Sequence, residues 1–335
     1  MDLRTEYLGL SLRSPLVASA GPLTGTVDGI RRLASAGVGA VVLPSLFEEQ
    51  LRNEAEQDFR LAEAHANSNF EALSYLPSGA EDGPGQHLGL LSRAAAEAGI
   101  PVIAALNGAS PGGWTNYAAA IEQAGASAIE LEIFHLPGDP LLTARDAERR
   151  YTEILAMVKA VVSIPVAVKL SPYFSSIGEM AMTLDHAGAD GLILFSRFLQ
   201  TDIDPETFTV STGFQLSVPA EAALPRAWIS RVRGLVGCSL AATTGVETAD
   251  DIAAYLLAGA DVVMSTSALL RHGPDYARVL LDGLQAWMDR MGFTSVAQAR
   301  GLLAKSAEAS RAYSRAGYLS AIEQATHGLH HSKVT

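Results

Sequence analysis

Short apolar runs recur along this chain, each entered through a glycine that follows an amphipathic stretch. The phrase stands at Ala36-Gly-Val-Gly-Ala-Val-Val-Leu43, Ala124-Gly-Ala-Ser-Ala-Ile-Glu-Leu131, Ala187-Gly-Ala-Asp-Gly-Leu-Ile-Leu194 and Ala258-Gly-Ala-Asp-Val-Val-Met264. Glycine takes the left-handed conformation that closes a helix, and the run after it is too apolar to keep one face in water. Helix, glycine, buried strand is a βα unit. Further strands are predicted at Pro15 to Ala18, Pro101 to Leu106, Pro165 to Lys169 and Ser239 to Ala242, with amphipathic helices at 145–162, 176–187 and 275–291.

About eight such units without a glycine-rich dinucleotide fingerprint predict an α/β fold of the closed (β/α)8 kind, a TIM barrel, rather than an open doubly wound sheet. Residues 1–335 then form one domain. Two connections exceed the usual length of barrel loops, 46–87 and 197–222, and are expected as insertions at the strand C-terminal face, with a frayed tail at 326–335. A barrel of this type carries its chemistry just after each strand. The informative residues are therefore Ser19 to Pro22, Pro44-Ser45, Asn107-Gly108, Glu132 to His135, Lys169 to Pro172, Ser196-Arg197, Thr243 to Gly245 and Ser265 to Ser267.

Composition narrows the classes of partner. The net charge of -12 over 335 residues disfavours a surface that neutralises phosphate backbones, so nucleic acid is not expected. Cys238 is the single cysteine, set in a small apolar run, which excludes an intrachain disulfide and suits a reducing cytoplasm. No uncharged stretch reaches the length of a membrane span, and the N-terminus lacks a basic segment followed by an apolar one. His65, His87, His186 and His272 share no metal-ligand spacing, and no metal is expected. The partners expected are a small-molecule substrate and a second copy of the chain in a homodimer.

Three features carry candidate chemistry. Lys169 ends the apolar run Val166-Ala-Val-Lys-Leu-Ser-Pro172, and a lysine so placed either escapes to water or meets an anion. Thr243-Thr-Gly245 after the seventh strand and Ser265-Thr-Ser267 after the eighth are small-residue turns, with Thr248 as a helix N-cap. Each alone is an ordinary turn or cap sequence, but the loops after strands seven and eight are where this fold holds phosphate.

Over nearly its whole length the sequence resembles the class 1 dihydroorotate dehydrogenases, and more closely a subgroup of dihydroorotate dehydrogenase-like flavoproteins. The segments that carry the resemblance are Leu12-Arg-Ser-Pro-Leu-Val-Ala-Ser-Ala-Gly-Pro22, Val41-Val-Leu-Pro-Ser-Leu-Phe-Glu-Glu-Gln50, Leu106-Asn-Gly-Ala-Ser-Pro-Gly-Gly-Trp114, Ile164-Pro-Val-Ala-Val-Lys-Leu-Ser-Pro-Tyr-Phe174 and Asp261-Val-Val-Met-Ser-Thr-Ser-Ala-Leu-Leu270. The resemblance implies FMN across the barrel mouth. Ala18, Ser19, Ala20 and Gly21 would lie against the ring, Thr244, Gly245, Thr266 and Ser267 at the phosphate, and Ser196 and Lys169 beside the flavin. It implies an oxidoreductase in which the Lys169 ammonium stabilises the flavin as it accepts hydride.

The same resemblance marks departures. Enzymes acting on dihydroorotate hold their product with asparagines and carry a cysteine or serine base; those positions are Ala72, Glu132, Pro137 and Ser196 here. Glu132 stands at an asparagine position, His135 at the cysteine base, and Pro44 where a second lysine is found. Thr244 replaces one glycine of a Gly-Gly pair. Substrate contacts are expected from Pro44, Ser45, Asn107, Glu132, His135, Ser196 and Arg197, with Lys169, His135 and Glu132 as catalytic residues. A neutral His135 can accept a proton near pH 7, and Glu132 can raise its basicity. A carboxylate such as orotate would be repelled by Glu132, so a substrate other than dihydroorotate is expected. Two alternatives stand beside this one: a flavin-free barrel enzyme, an isomerase, lyase or condensing enzyme using Glu132, His135 and Lys169, and a non-catalytic homologue acting as a binding protein.

Overall fold

The computed structural model describes residues 1–52, 83–108, 110, 114–133, 140–197, 201–212, 215–306, 319–320 and 322–323. A hairpin of β1 (Thr5–Tyr7) and β2 (Leu10–Leu12) precedes the barrel. The eight barrel strands are β3 (Leu16–Ala18), β4 (Ala40–Val42), β6 (Val102–Gly108), β7 (Ala128–Ile133), β8 (Val166–Leu170), β9 (Gly191–Leu194), β12 (Ser239–Ala242) and β13 (Val262–Ser265). All run parallel, each paired with the next, and β13 returns to β3 to close the ring. The TIM barrel read from the sequence is the fold of this chain.

Helices α1 (Val27–Ala36), α2 (Pro84–Glu97), α3 (Trp114–Gln123), α4 (Ala144–Lys159), α5 (Ile177–His186), α6 (Ala223–Val232), α7 (Ala249–Ala258), α8 (Ser267–His272), α9 (Tyr276–Met291) and α10 (Val296–Ala299) lie along the chain between and after the strands. Gly37, Gly125, Gly188 and Gly259 have φ of 105°, 95°, 92° and 118°, the left-handed state that ends a helix and that a Cβ disfavours. Thr248 caps α7 by accepting from the Asp251 N–H, and Asp251 answers to the Thr248 N–H, a reciprocal capping box.

Strand alternation sorts the side chains. Val17, Ala40, Val42, Ile103, Ala105, Ala128, Ala167, Ile193, Ala241, Val262 and Met264 form one cluster with Tyr7, Leu8 and Leu12 of the hairpin. This is the barrel interior, plugged at its floor. Gly191 makes room for the plug, since a Cβ there would meet Leu8 Cδ2 at 2.5 Å. The intervening positions, such as Leu16, Val41, Leu131, Val168 and Leu192, join the larger cluster packed under the helices. Further up the same inward-facing rows the interior turns polar: Asn107 on β6, Glu130 and Glu132 on β7, and Lys169 on β8.

In the stretch 46–87, β5 (Leu46–Phe47) pairs with the end of β6 and α2 begins at Pro84, while 53–82 lie outside the described residues. The stretch 197–222 contains an antiparallel hairpin of β10 (Thr201–Asp204) and β11 (Thr209–Thr212), then a 3-10 turn at Pro219–Ala222. The tail 326–335 lies outside the described residues. No helix among the described residues is long and apolar enough to cross a membrane.

Candidate functional site

A cavity of about 280 Å³ opens at the C-terminal ends of the strands. Ser19 and Ala20 reach it after β3, Glu132 and Lys169 from β7 and β8, Ser196 and Arg197 after β9, Thr244 and Gly245 after β12, and Thr266 and Ser267 at the start of α8. Ser45 lines it as well. Most residues singled out from the sequence thus meet around one space.

Lys169 meets anions rather than water. Its side chain is 13% exposed; Nζ donates to Glu130 Oε1 at 3.2 Å and lies 3.8 Å from Glu132 Oε2. The register explains the contact: Glu132 is paired with Lys169 across β7 and β8, and Glu130 is two positions lower on the same face. Burial alone would depress the Lys169 ammonium, but Glu130 and then Glu132 outweigh it and hold the lysine charged well above its ordinary range. Burial pushes the Glu130 carboxyl up, Lys169 pulls it back, and Glu132 adds to the rise. Glu132 takes its other contact from the Ser196 hydroxyl, which donates to Oε1. With both carboxylates ionised, the three charged groups carry one net negative charge.

Glu130 escaped the sequence reading, which looked only past strand ends. The available signal was its parity: a glutamate two residues before Glu132 in an apolar strand faces the same interior. Ser217 was also missed. Its N–H and hydroxyl both donate to Ser267 Oγ at 3.0 Å, and its own oxygen accepts from the Gly245 N–H at 3.3 Å, so one serine from the long connection ties together the loops after β12 and β13.

Other expected residues lie apart. Pro44 lines a separate cavity of about 1100 Å³ beside α2, and Ser45 borders both spaces. The Pro44 carbonyl accepts from His87 Nε2 at 3.0 Å. Ala18 is buried in the core under the helices, and Asn107 is buried beside Glu132 in the β6–β7 register. Gly21 does not border the cavity, but a Cβ on it would meet Thr266 Cγ2 at 2.7 Å, so its bareness lets the first and eighth strand-end loops close together. Arg197 lines the cavity while paired with Glu221 at 2.9 Å and donating to the Gln215 carbonyl. Ala72, His135 and Pro137 lie outside the described residues.

Two observations bear on a flavin phosphate. Ser265 lines the cavity, is 3% exposed, and its Oγ has no hydrogen-bond partner among the described residues, which suits a hydroxyl that would donate to a phosphate oxygen. Thr244 has φ of 78° and Gly245 of 70°, a backbone shaped for two successive glycines. A β-branched residue in that conformation is strained by about 1–3 kcal/mol. Tyr255 holds the strained turn by donating to the Thr243 and Thr244 carbonyls at 2.9 and 2.7 Å. Relief of the strain exceeds the added unfolded-state entropy of glycine, about 0.4–1 kcal/mol. Thr244→Gly is therefore expected to stabilise the protein by about 1 kcal/mol, read as a higher urea midpoint at unchanged m-value. A lower midpoint would show that the threonine side chain stabilises the turn more than its backbone strains it.

Comparison with known proteins agrees with this architecture. Residues 2–288 match the family model described as dihydroorotate dehydrogenase. Among similar proteins, the dihydroorotate dehydrogenase B (NAD(+)) catalytic subunit of Methanothermobacter thermautotrophicus is 28% identical over 308 residues, 90% of this chain and 98% of that protein. The putative dihydroorotate dehydrogenase A (fumarate) of Aeropyrum pernix is 28% identical over 301 residues, 88% of this chain and 95% of that one. The dihydroorotate dehydrogenase B catalytic subunit of Listeria monocytogenes serovar 1/2a is 29% identical over 302 residues, 88% and 96% of the two chains.

Proposed function

This chain belongs to the dihydroorotate dehydrogenase family, and from that premise we propose that it is an FMN-dependent oxidoreductase whose substrate is not dihydroorotate. The observation that carries the proposal is the seating of Lys169 at the cavity, charged and nearly enclosed, together with a glycine-type turn and the open hydroxyl of Ser265 at the strand ends where this fold holds phosphate. The residues present fit the group. Ser19 and Ala20 would give it a floor of small side chains, and Gly245, Ser265, Thr266 and Ser267 would hold the phosphate.

When bound, FMN supplies an acceptor for hydride. The chain supplies the rest. Lys169 presents a fixed ammonium where negative charge would develop, in a setting too dry for water to do the same work. Ser196 donates to Glu132 Oε1 and Lys169 stands 3.8 Å from Oε2, which fixes the carboxylate at the cavity, where it would accept a proton from the substrate. His135, which lies outside the described residues, is kept as the second group that would accept or return a proton. A carboxylate at Glu132 favours a neutral or cationic substrate bearing a hydrogen-bond donor, and disfavours the anionic dihydroorotate.

The protein is expected to purify yellow, and the stripped protein to take up one FMN, followed by flavin fluorescence quenching. Thr244→Gly should bind at least as tightly, and Thr244→Trp, which fills the turn, should lose binding. A colourless protein that quenches no FMN would remove the flavin from this reading. Equal affinity in all three proteins would move the phosphate away from Thr244.

A further inference from the structure

Glu130 has no role in the chemistry above, and its surroundings are unusual for a carboxylate. It points into the barrel one layer below Glu132, with its side chain 1% exposed. Oε1 accepts from Lys169, while Oε2 has no hydrogen-bond partner among the described residues. A buried carboxylate oxygen without a donor is costly as an anion, and a proton on that oxygen removes the cost. The charged and titratable groups around it among the described residues are few. Lys169 faces it from β8 and Glu132 from its own strand, while Ala105 stands opposite on β6. From the floor, the buried Tyr7 phenol is pushed up by burial and then by the Glu130 charge, and its oxygen likewise has no partner among the described residues.

We propose that Glu130 is a redox-linked proton acceptor: it takes a proton from water as flavin in this site is reduced, and so returns the Lys169 charge to the flavin. The inference rests on the flavin reading above. One cation is already shared by two carboxylates before any cofactor charge is added. A hydride from the substrate brings two electrons and one proton to the flavin and leaves it with one negative charge, which competes for the same ammonium. A second proton, from water, then bonds to Glu130 Oε2, turning the carboxylate into a carboxylic acid. The site takes up two protons for two electrons, where an isolated lysine would leave the uptake at one. Glu130 acts through Lys169 and is a positioning residue; its proton keeps the pocket's charge constant over the redox cycle.

The test is the midpoint potential of the FMN-loaded protein, titrated electrochemically at several pH values across the neutral range. A tenfold change in proton activity shifts a two-electron couple by about 30 mV per proton taken up. Wild type is expected to fall by about 59 mV per pH unit, two protons, and Glu130→Gln by about 30 mV, one proton. Glu132→Gln should keep the wild-type slope, which assigns the proton to the deeper residue. Infrared difference spectra of wild type give a measure that needs no variant: a carboxylic acid C=O band, shifted in D2O, should appear on reduction. A wild-type slope of about 30 mV per pH unit with no such band overturns the proposal while leaving the flavin in place. A protein that takes up no FMN overturns the reading beneath it instead.

Discussion

Lys169→Met is expected to lower the unfolding free energy by about 3–5 kcal/mol, and the double variant Lys169→Met, Glu130→Gln to recover most of that loss. Methionine keeps the length and most of the volume of the lysine stem, so packing changes little. What changes is that Glu130, nearly without exposure, loses its one charged donor among the described residues. An uncompensated carboxylate in the barrel interior must then ionise at high cost or stay protonated. Glutamine in its place removes the charge while keeping shape, and Glu132, nearer the mouth and held by Ser196, remains hydrogen-bonded. Urea unfolding of wild type, the two single variants and the double variant gives the coupling directly. Additive losses in the cycle would mean that the pair contributes no mutual stability and that Lys169 is retained for another reason.

The second large effect concerns ligand charge. Orotate is expected to bind the wild-type protein about a thousandfold more weakly than it binds Glu132→Asn. Two carboxylates about 4 Å apart repel by about 4 kcal/mol at an effective dielectric near 20, and about 1.4 kcal/mol is a factor of ten in affinity. Lys169 cannot cancel the repulsion, because its charge is already divided between Glu130 and Glu132. Asparagine removes one anion and leaves Lys169 with a single carboxylate partner, which lets the cation serve the ligand. Calorimetry with orotate and dihydroorotate on both proteins measures the difference. Tight orotate binding to the wild type would restore dihydroorotate as the substrate.

The fold was legible because helix-closing glycines leave a local mark. Gly37, Gly125, Gly188 and Gly259 announce their conformation in the phrase around them, and the strands that follow are apolar on both parities apart from Glu130 and Glu132 of β7. The mouth was legible for a related reason: strand ends can be counted once strands are found, and Lys169, Glu132, Ser196, Thr244 and Ser267 all follow from that count. What stayed hidden depends on distance through space. Nothing near Lys169 in the chain says that its partner is Glu130, 39 residues earlier, because the pairing is set by strand register. Ser217 sits in a long connection whose path no periodicity predicts, yet it joins two loops. Pro44 shows the converse, since a residue just past a strand end faced the neighbouring cavity beside α2 rather than the central one.

The plug formed by Tyr7, Leu8 and Leu12 turns the barrel toward its mouth. These three side chains are each no more than 3% exposed and pack against the alanine and valine layers above them. Water and protons are therefore expected to reach Glu130 from the mouth, past Lys169. A ligand seated there stands over that approach without sealing it, because the proton that Glu130 gains on reduction must pass while the flavin is bound. Isotope exchange at Glu130 should accordingly slow as the occupant grows bulkier and continue while it stays, so the interior of this barrel answers to its solvent through whatever fills its mouth.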